Sequence, residues 1–261
     1  MELIDLSVTL EAGPGNSVPV NIDYMSHDAG GAHLAQLVGI PQCCLSGGKA
    51  WASERISAIT HSGTHIDAPF HYSPTTGVAR SRTIDEMPLE WFWGPGKCIH
   101  VCGPTEMPVG PDELLEFEQR KSIIVGIGDI VLFRTDADLH WQSSDYNSQG
   151  RGLSPELVRL LITRGVKVFG TDAWSIDPPY WVMKQRLSKF GASEVWGAHF
   201  VGREHEFCAI EKLSNLRALP ADGFHVACFP VKVAKGSAGW ARVVAFVPDG
   251  GQASLTLDAF R

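Results

Sequence analysis

Residues 3–10 alternate, with Ile4, Leu6, Val8 and Leu10 apolar and Asp5, Ser7 and Thr9 polar between them. A period of two predicts a strand buried on one face. ERISAIT (54–60) and KCIHVC (97–102) read as further strands, and so do SIIVGI and DIVLFR over 122–134, separated by Gly128. Two segments carry a helical pattern: PDELLEFEQ (111–119) and, more clearly, SPELVRLLITRG (154–165). In the second, Ser154 suits the cap, Pro155 the first turn, Glu156 the positive end and Gly165 the stop. VKVFG follows as a strand, and EVWGAHFV, FHVACFPVKV and WARVVAFV predict more strands toward the end of the chain. Residues 11–50 carry no such pattern, running from AGPGNSVP to LSGG. An irregular segment of that length points to a subunit interface or an active-site cover.

A helix followed by a strand, with strands in excess, predicts a mixed α/β fold of high sheet content. No repeat or linker composition divides the 261 residues, so one domain is expected. The 44% hydrophobic and 20% charged residues describe a globular chain rather than a disordered one. A formal net charge of -7 argues against a nucleic-acid surface, and the scattered 22 Lys and Arg against a membrane patch. Six cysteines without a C-x-x-C pair read as free thiols in a reducing compartment. MELIDLSVTL lacks the basic start and apolar run of a signal peptide, so a soluble cytoplasmic protein is expected.

The densest chemistry lies in HSGTHIDAPFH, residues 61–71. A helix would put His61 and His65 on one face, but Gly63 and Pro69 oppose it. In an extended chain His61, Gly63, His65, Asp67 and His71 share one parity. A straight strand would hold the His61 and His65 alpha carbons about 13 Å apart, too far to share an ion. The chain must bend, and Gly63, without a beta carbon, is where it can. Asp67 then adds a hard oxygen ligand, and Thr64 can orient a ligand or the neighbouring backbone. A divalent ion in such a set would activate water toward a carbonyl.

These residues match the H-x-G-T-H-x-D-x-P-x-H motif, and the chain resembles the cyclase family of metal-dependent hydrolases. That family includes isatin hydrolases, γ-lactam hydrolases and bacterial kynurenine formamidases. GDIVLFRTDAD and RGLSPELVRLLITRGVKVFGTDAWSIDPP resemble further family segments, so the likeness covers most of residues 1–215. It implies a swivelling β/β/α domain, assembled as a dimer or tetramer. It implies His61, His65 and Asp67 as metal ligands and His71 as the acid/base residue. His199 and Glu211, twelve residues apart, resemble a second ligand pair. The length and the TDAWSID segment resemble the isatin hydrolases, where one manganese is implied, whereas the formamidases use two zinc ions. Both sets of features are present, which leaves the metal as Mn2+ or Zn2+ and the number of ions open.

The resemblance implies opening of a cyclic amide of the isatin or γ-lactam type. An arylformamidase acting on N-formyl aromatic amines, and a non-catalytic metal-binding protein, are the alternatives. His27 and His33, in HDAGGAH, read as surface residues. Trp91, Phe92 and Trp93 could line an aromatic pocket, but core or subunit packing fits such residues better. Arg134 reads as the partner of Asp136 or Asp138, Cys208 as a small buried residue and His205 as a loop residue. His100, His140 and His225 read as structural.

Overall fold

Ile130, Val131, Leu132 and Phe133 form an unbroken apolar run, and all four are buried. A strand with no polar alternation belongs at the centre of a sheet covered on both faces. The computed structural model, which describes residues 1–249, places it there. The strands in chain order are β1 (Glu2–Asp5), β2 (Asn21–Met25), β3 (Ser53–Ser57), β4 (His65–Asp67), β5 (Thr75–Thr76), β6 (Ala79–Arg80) and β7 (Trp93–His100). They continue as β8 (Ile130–Arg134), β9 (Val168–Thr171), β10 (Cys208–Glu211), β11 (Phe224–Ala227), β12 (Ala238–Trp240) and β13 (Val244–Val247). The helices are α1 (His27–Val38), α2 (Pro69–Tyr72), α3 (Pro111–Lys121), α4 (Pro155–Thr163), α5 (Tyr180–Phe190) and α6 (Gly197–Phe200).

Nine strands form one mixed sheet in the order β1-β13-β11-β7-β8-β9-β10-β4-β12. Its middle, β7 to β10, is parallel, and both flanks are antiparallel. On one face Val131, Phe133 and Phe169 pack against Leu114 and Phe117 of α3 and Leu157, Val158 and Leu161 of α4. On the other, Ile130, Leu132 and Val168 meet Ile66, Ile210 and Phe224. α4 starts as its sequence predicts, with Ser154 Oγ accepting the Leu157 N–H. The strand-rich mixed α/β architecture read from the sequence is the one observed. Among the described residues no helix is long and apolar enough to cross a membrane.

Five local readings differ. Residues 11–50 are not irregular throughout: they contain β2 and the twelve-residue α1. Ser26 caps α1 and Gly39, at φ +75°, ends it. The pair Gly30–Gly31 hid the helix, since glycine opposes helix formation. Both serve close packing instead: a methyl on Gly30 would lie 1.9 Å from the Trp51 carbonyl oxygen, and one on Gly31 2.2 Å from that of Gly48. SIIVGI is no strand, because side chains take its backbone donors: Glu118 accepts the Val125 N–H and Asp129 accepts that of Gly126. EVWGAHFV turns into α6, and FHVACFPVKV is a strand only over Phe224–Ala227. WARVVAFV divides between β12 and β13. The helix α5 had no signal strong enough to predict it.

Gly30→Ala sets two effects against each other. Helix propensity would gain about 1 kcal/mol. The clash is with backbone, and overpacking of that kind costs about 1–3 kcal/mol. The clash should win, and a thermal melt should show a lower Tm for Gly30→Ala than for the wild type.

Candidate metal centre

Gly63 has φ +58°, and this left-handed residue breaks the extended chain between His61 and His65. Their rings converge, with centroids 5.0 Å apart. The bend is held on both sides. The Gly63 N–H donates to Asn16 Oδ1 at 2.8 Å. The Thr64 hydroxyl donates to the Lys212 carbonyl at 2.5 Å and accepts the Val8 N–H at 2.9 Å.

Beyond the bend, β4 runs between β10 and β12. Ile66 enters the apolar core while its neighbours His65 and Asp67 face the other way. The β4–β10 register sets Glu211 opposite His65. His65 Nε2 stands 3.3 Å from Asp67 Oδ1 and 3.6 Å from Glu211 Oε2. His61 Nδ1 is 2.9 Å from Asp67 Oδ1. His199 Nε2 is 3.7 Å from Asp67 Oδ2 and 3.5 Å from Glu211 Oε1. The structure thus brings together His61, His65, Asp67, His199 and Glu211.

His199 arrives there through Asp177. That carboxylate accepts the Ala198 N–H at 3.0 Å and the His199 N–H at 3.2 Å, and so caps α6. It also takes His199 Nδ1 at 2.5 Å. The ring is fixed with Nε2 toward Asp67 and Glu211, and Trp196 stacks on it at 4.6 Å. The other rings are oriented similarly. His65 Nδ1 meets the Gly63 carbonyl at 2.9 Å, which makes it the N–H and turns Nε2 toward Asp67 and Glu211. His61 Nε2 meets Ser237 Oγ at 3.0 Å. Glu211 Oε1 accepts the Ile176 N–H at 2.9 Å. Such outer contacts orient metal ligands.

Asp67 is 0% exposed, and among the described residues neither of its oxygens accepts a well-formed hydrogen bond and His65 Nε2 lacks a partner. A buried ion left so costs several kcal/mol. Two sets of ligand atoms share Asp67, namely His61–Asp67–His71 and His65–Asp67–Glu211, each within 4.8 Å. Imidazole nitrogens and carboxylate oxygens around an orphaned carboxylate fit a divalent cation.

The charges reinforce this. Burial would raise the Asp67 pKa, but His71 and His65 beside it and its contacts with His199 and His61 outweigh burial and hold it well below the usual carboxylate range. Burial also opposes a charged His199, yet Asp177 with Asp67 and Glu211 pushes that ring up to about 10. For His71 burial dominates and lowers the pKa, with Asp67 opposing it. His71 sits on α2, its ring centroid 4.2 Å from that of His61 and 5.5 Å from that of His199.

A cavity of about 290 Å³ opens over His71, His61 and Glu211. Its walls include Trp174, Tyr180, Met183, Trp196 and Lys212. None of these wall residues stood out in the sequence, and neither did Asp177. The signal for Asp177 was present in WSIDPP, an acid just before two prolines, but nothing local tied it to His199. Trp91, Phe92 and Trp93 stay away from the cavity: Trp91 lies between Arg82 and Lys167, Phe92 is in the core, and Trp93 stacks on His225. Arg134 pairs with Asp136 at 2.7 Å, and Cys208 is buried in the core. His33 packs edge-on against Trp51, with ring centroids 5.9 Å apart and away from the cluster.

The sequence matches the family described as "Putative cyclase" over residues 4–178. The chain belongs to this family. The fold of this cyclase-family chain is shared with solved hydrolases. An isatin hydrolase bound to the product analogue thioisatinate is 21% identical, with TM-score 0.74 over 95% of this chain and 93% of that one. Isatin hydrolase A from Labrenzia aggregata, bound to benzyl benzoate, is 24% identical, with TM-score 0.72 over 94% and 93%. A potential metal-dependent hydrolase with cyclase activity is 18% identical, with TM-score 0.61 over 95% and 98%.

Two variants test the centre. His65→Ala should lose bound divalent metal, measured by mass spectrometry. Asp177→Asn keeps the shape but weakens the hold on His199. It should lower metal affinity about 10–100-fold, as loss of such an outer partner does, in a chelator competition titration.

Proposed function

We propose that this chain hydrolyses the C–N bond of a small amide, with a cyclic amide of the isatin or γ-lactam type as substrate. The observation that carries this reading is the buried, unbonded Asp67 among three histidines and Glu211, with His71 and an aromatic cavity directly above. The fold shared with isatin hydrolases supports the cyclic substrate. Trp174, Tyr180 and Trp196 suit a flat aromatic ring.

His61, His65, Asp67, His199 and Glu211 would hold one or two ions of Mn2+ or Zn2+. A divalent ion supplies Lewis-acid polarisation of a carbonyl and a more acidic water. His71 is the general acid/base. Its burial favours the neutral ring, which can accept a proton from water and return it to the leaving nitrogen. Asp177 keeps His199 oriented, and the tryptophan walls exclude bulk water around the amide.

The exposed apolar residues Tyr24, Leu37, Trp51 and Ile56, on or beside β2, α1 and β3, support a homo-oligomer. All six cysteines are free thiols, which supports a cytoplasmic setting.

Turnover of isatin, a simple γ-lactam and an N-formyl aromatic amine, each with manganese or zinc, tests the reading. Isatin or the lactam should be opened fastest. A preference for the formamide makes the enzyme an arylformamidase, and a metal-replete protein inert to all three overturns hydrolysis. His71→Ala should retain metal and lose about 10²–10⁴-fold in kcat. Wild-type turnover would remove His71 from proton transfer, and loss of metal would place it among the ligands.

A further inference from the structure

α5 carries Tyr180, Met183 and Leu187 on one stripe, at the i, i+3 and i+7 spacing of a helix face. Opposite them stand Val195 and Trp196, from the turn into α6, and Phe200 at the end of α6. The two walls enclose a groove of about 500 Å³. Lys184 is its one charged lining residue among those described. Tyr180 is 63% and Leu187 43% exposed, so the groove is open to solvent along its length.

This groove continues the cavity of the metal centre. Tyr180, Met183 and Trp196 line both it and the cavity over His71 and Glu211. Trp196 stands where the two meet: its ring stacks on His199, and Phe200 meets it edge-on at 5.2 Å. Its backbone is left-handed, φ +58°, and its N–H donates to Met183 Sδ at 3.2 Å. That bond ties the turn to α5 and sets the spacing of the two walls. A ligand whose head lies at the metal centre therefore meets an apolar path leading outward past Met183 to Leu187. At 1.5 Å of rise per residue, the stripe from Tyr180 to Leu187 is about 10 Å long. A ring the size of a γ-lactam, held at the metal centre, leaves that path empty.

We propose that the groove between α5 and α6 is a substrate subsite for an apolar chain, and that the amide hydrolysed at the metal centre carries such a chain as a substituent. The proposal rests on the amide-hydrolase reading for the reacting head. The subsite itself is tested by binding, without turnover.

The probes are acetohydroxamate, hexanohydroxamate and octanohydroxamate, titrated into the metal-loaded protein by calorimetry. The head group offers the same oxygen ligands to a divalent ion in all three, and only the apolar tail grows. Full burial of a methylene is worth about fourfold in affinity, and an open groove that buries half of it gives about twofold. Octanohydroxamate should therefore bind about 50–100-fold more tightly than acetohydroxamate. Leu187 lines the groove and not the cavity over the metal centre. Leu187→Glu should bind acetohydroxamate within about twofold of wild type and cut the gain from chain length about tenfold. Should Leu187→Glu fail to fold, Val195→Gln on the opposite wall carries the test, with a cut of about threefold. A series that binds equally, or not at all, overturns the proposal. A gain that survives in the folded variant overturns it too, because the tail then lies elsewhere. Loss of length dependence together with a lower mass by light scattering for Leu187→Glu makes the groove a contact between copies of this chain instead. Length-dependent binding that Leu187→Glu removes, in an enzyme inert toward every amide, ends the hydrolase reading and leaves the subsite standing.

Discussion

Most of the site follows from one costly feature, a carboxylate sealed from water and set among imidazole nitrogens. Asp67 lies on a strand flanked by β10 and β12, and its side chain cannot swing out to solvent. An isolated charge there would be neutralised or expelled. Instead it is kept ionised by histidines delivered from three separate segments: the 61–65 bend, α2 and α6. A cluster assembled this way depends on the sheet, because Glu211 reaches His65 only if β10 and β4 keep their register.

The positioning is done mainly by backbone and small polar groups. Asn16 fixes the Gly63 turn, and Thr64 links Val8 to Lys212. The N-terminal segment, the 61–65 bend and the end of β10 are therefore tied together. Asp177 has a double part, since one carboxylate starts α6 and aims the histidine that α6 carries. That economy explains why a segment with a strand-like pattern folds as a helical turn. Two charge-assisted bonds to consecutive N–H groups, about 1.5–3 kcal/mol each, outweigh the weak β preference of eight residues.

Legibility in the sequence followed locality. The bend at Gly63 and the shared direction of His65 and Asp67 were readable because steric limits and strand parity act within a few residues. The helix at 154–165 was readable through its cap for the same reason. Asp177, Lys212 and the tryptophan walls were not, because what makes them matter is a partner far along the chain: 22 residues to His199, 151 to His61. The glycines cut both ways. Gly63 signalled a turn that exists, whereas Gly30 and Gly31 signalled a loop where a helix lies tight against another backbone. A glycine in sequence announces freedom or closeness, and only the neighbour decides which.

The proton inventory of the centre shows how a cation site can remain folded before it is filled. With its pKa pushed up to about 10, His199 is charged at neutral pH, Nδ1 toward Asp177 and Nε2 toward Asp67 and Glu211. A pKa raised above the ordinary value of about 6.5 stabilises the fold fully below that value, and the contribution is lost as pH climbs through the raised one. At neutral pH the metal-free cluster therefore still holds a positive charge beside its two carboxylates. A divalent ion held by His199 would need the Nε2 lone pair, so metal and proton would compete for one atom. Asp177 serves both states: it balances the charged imidazolium first and orients the neutral ligand afterwards.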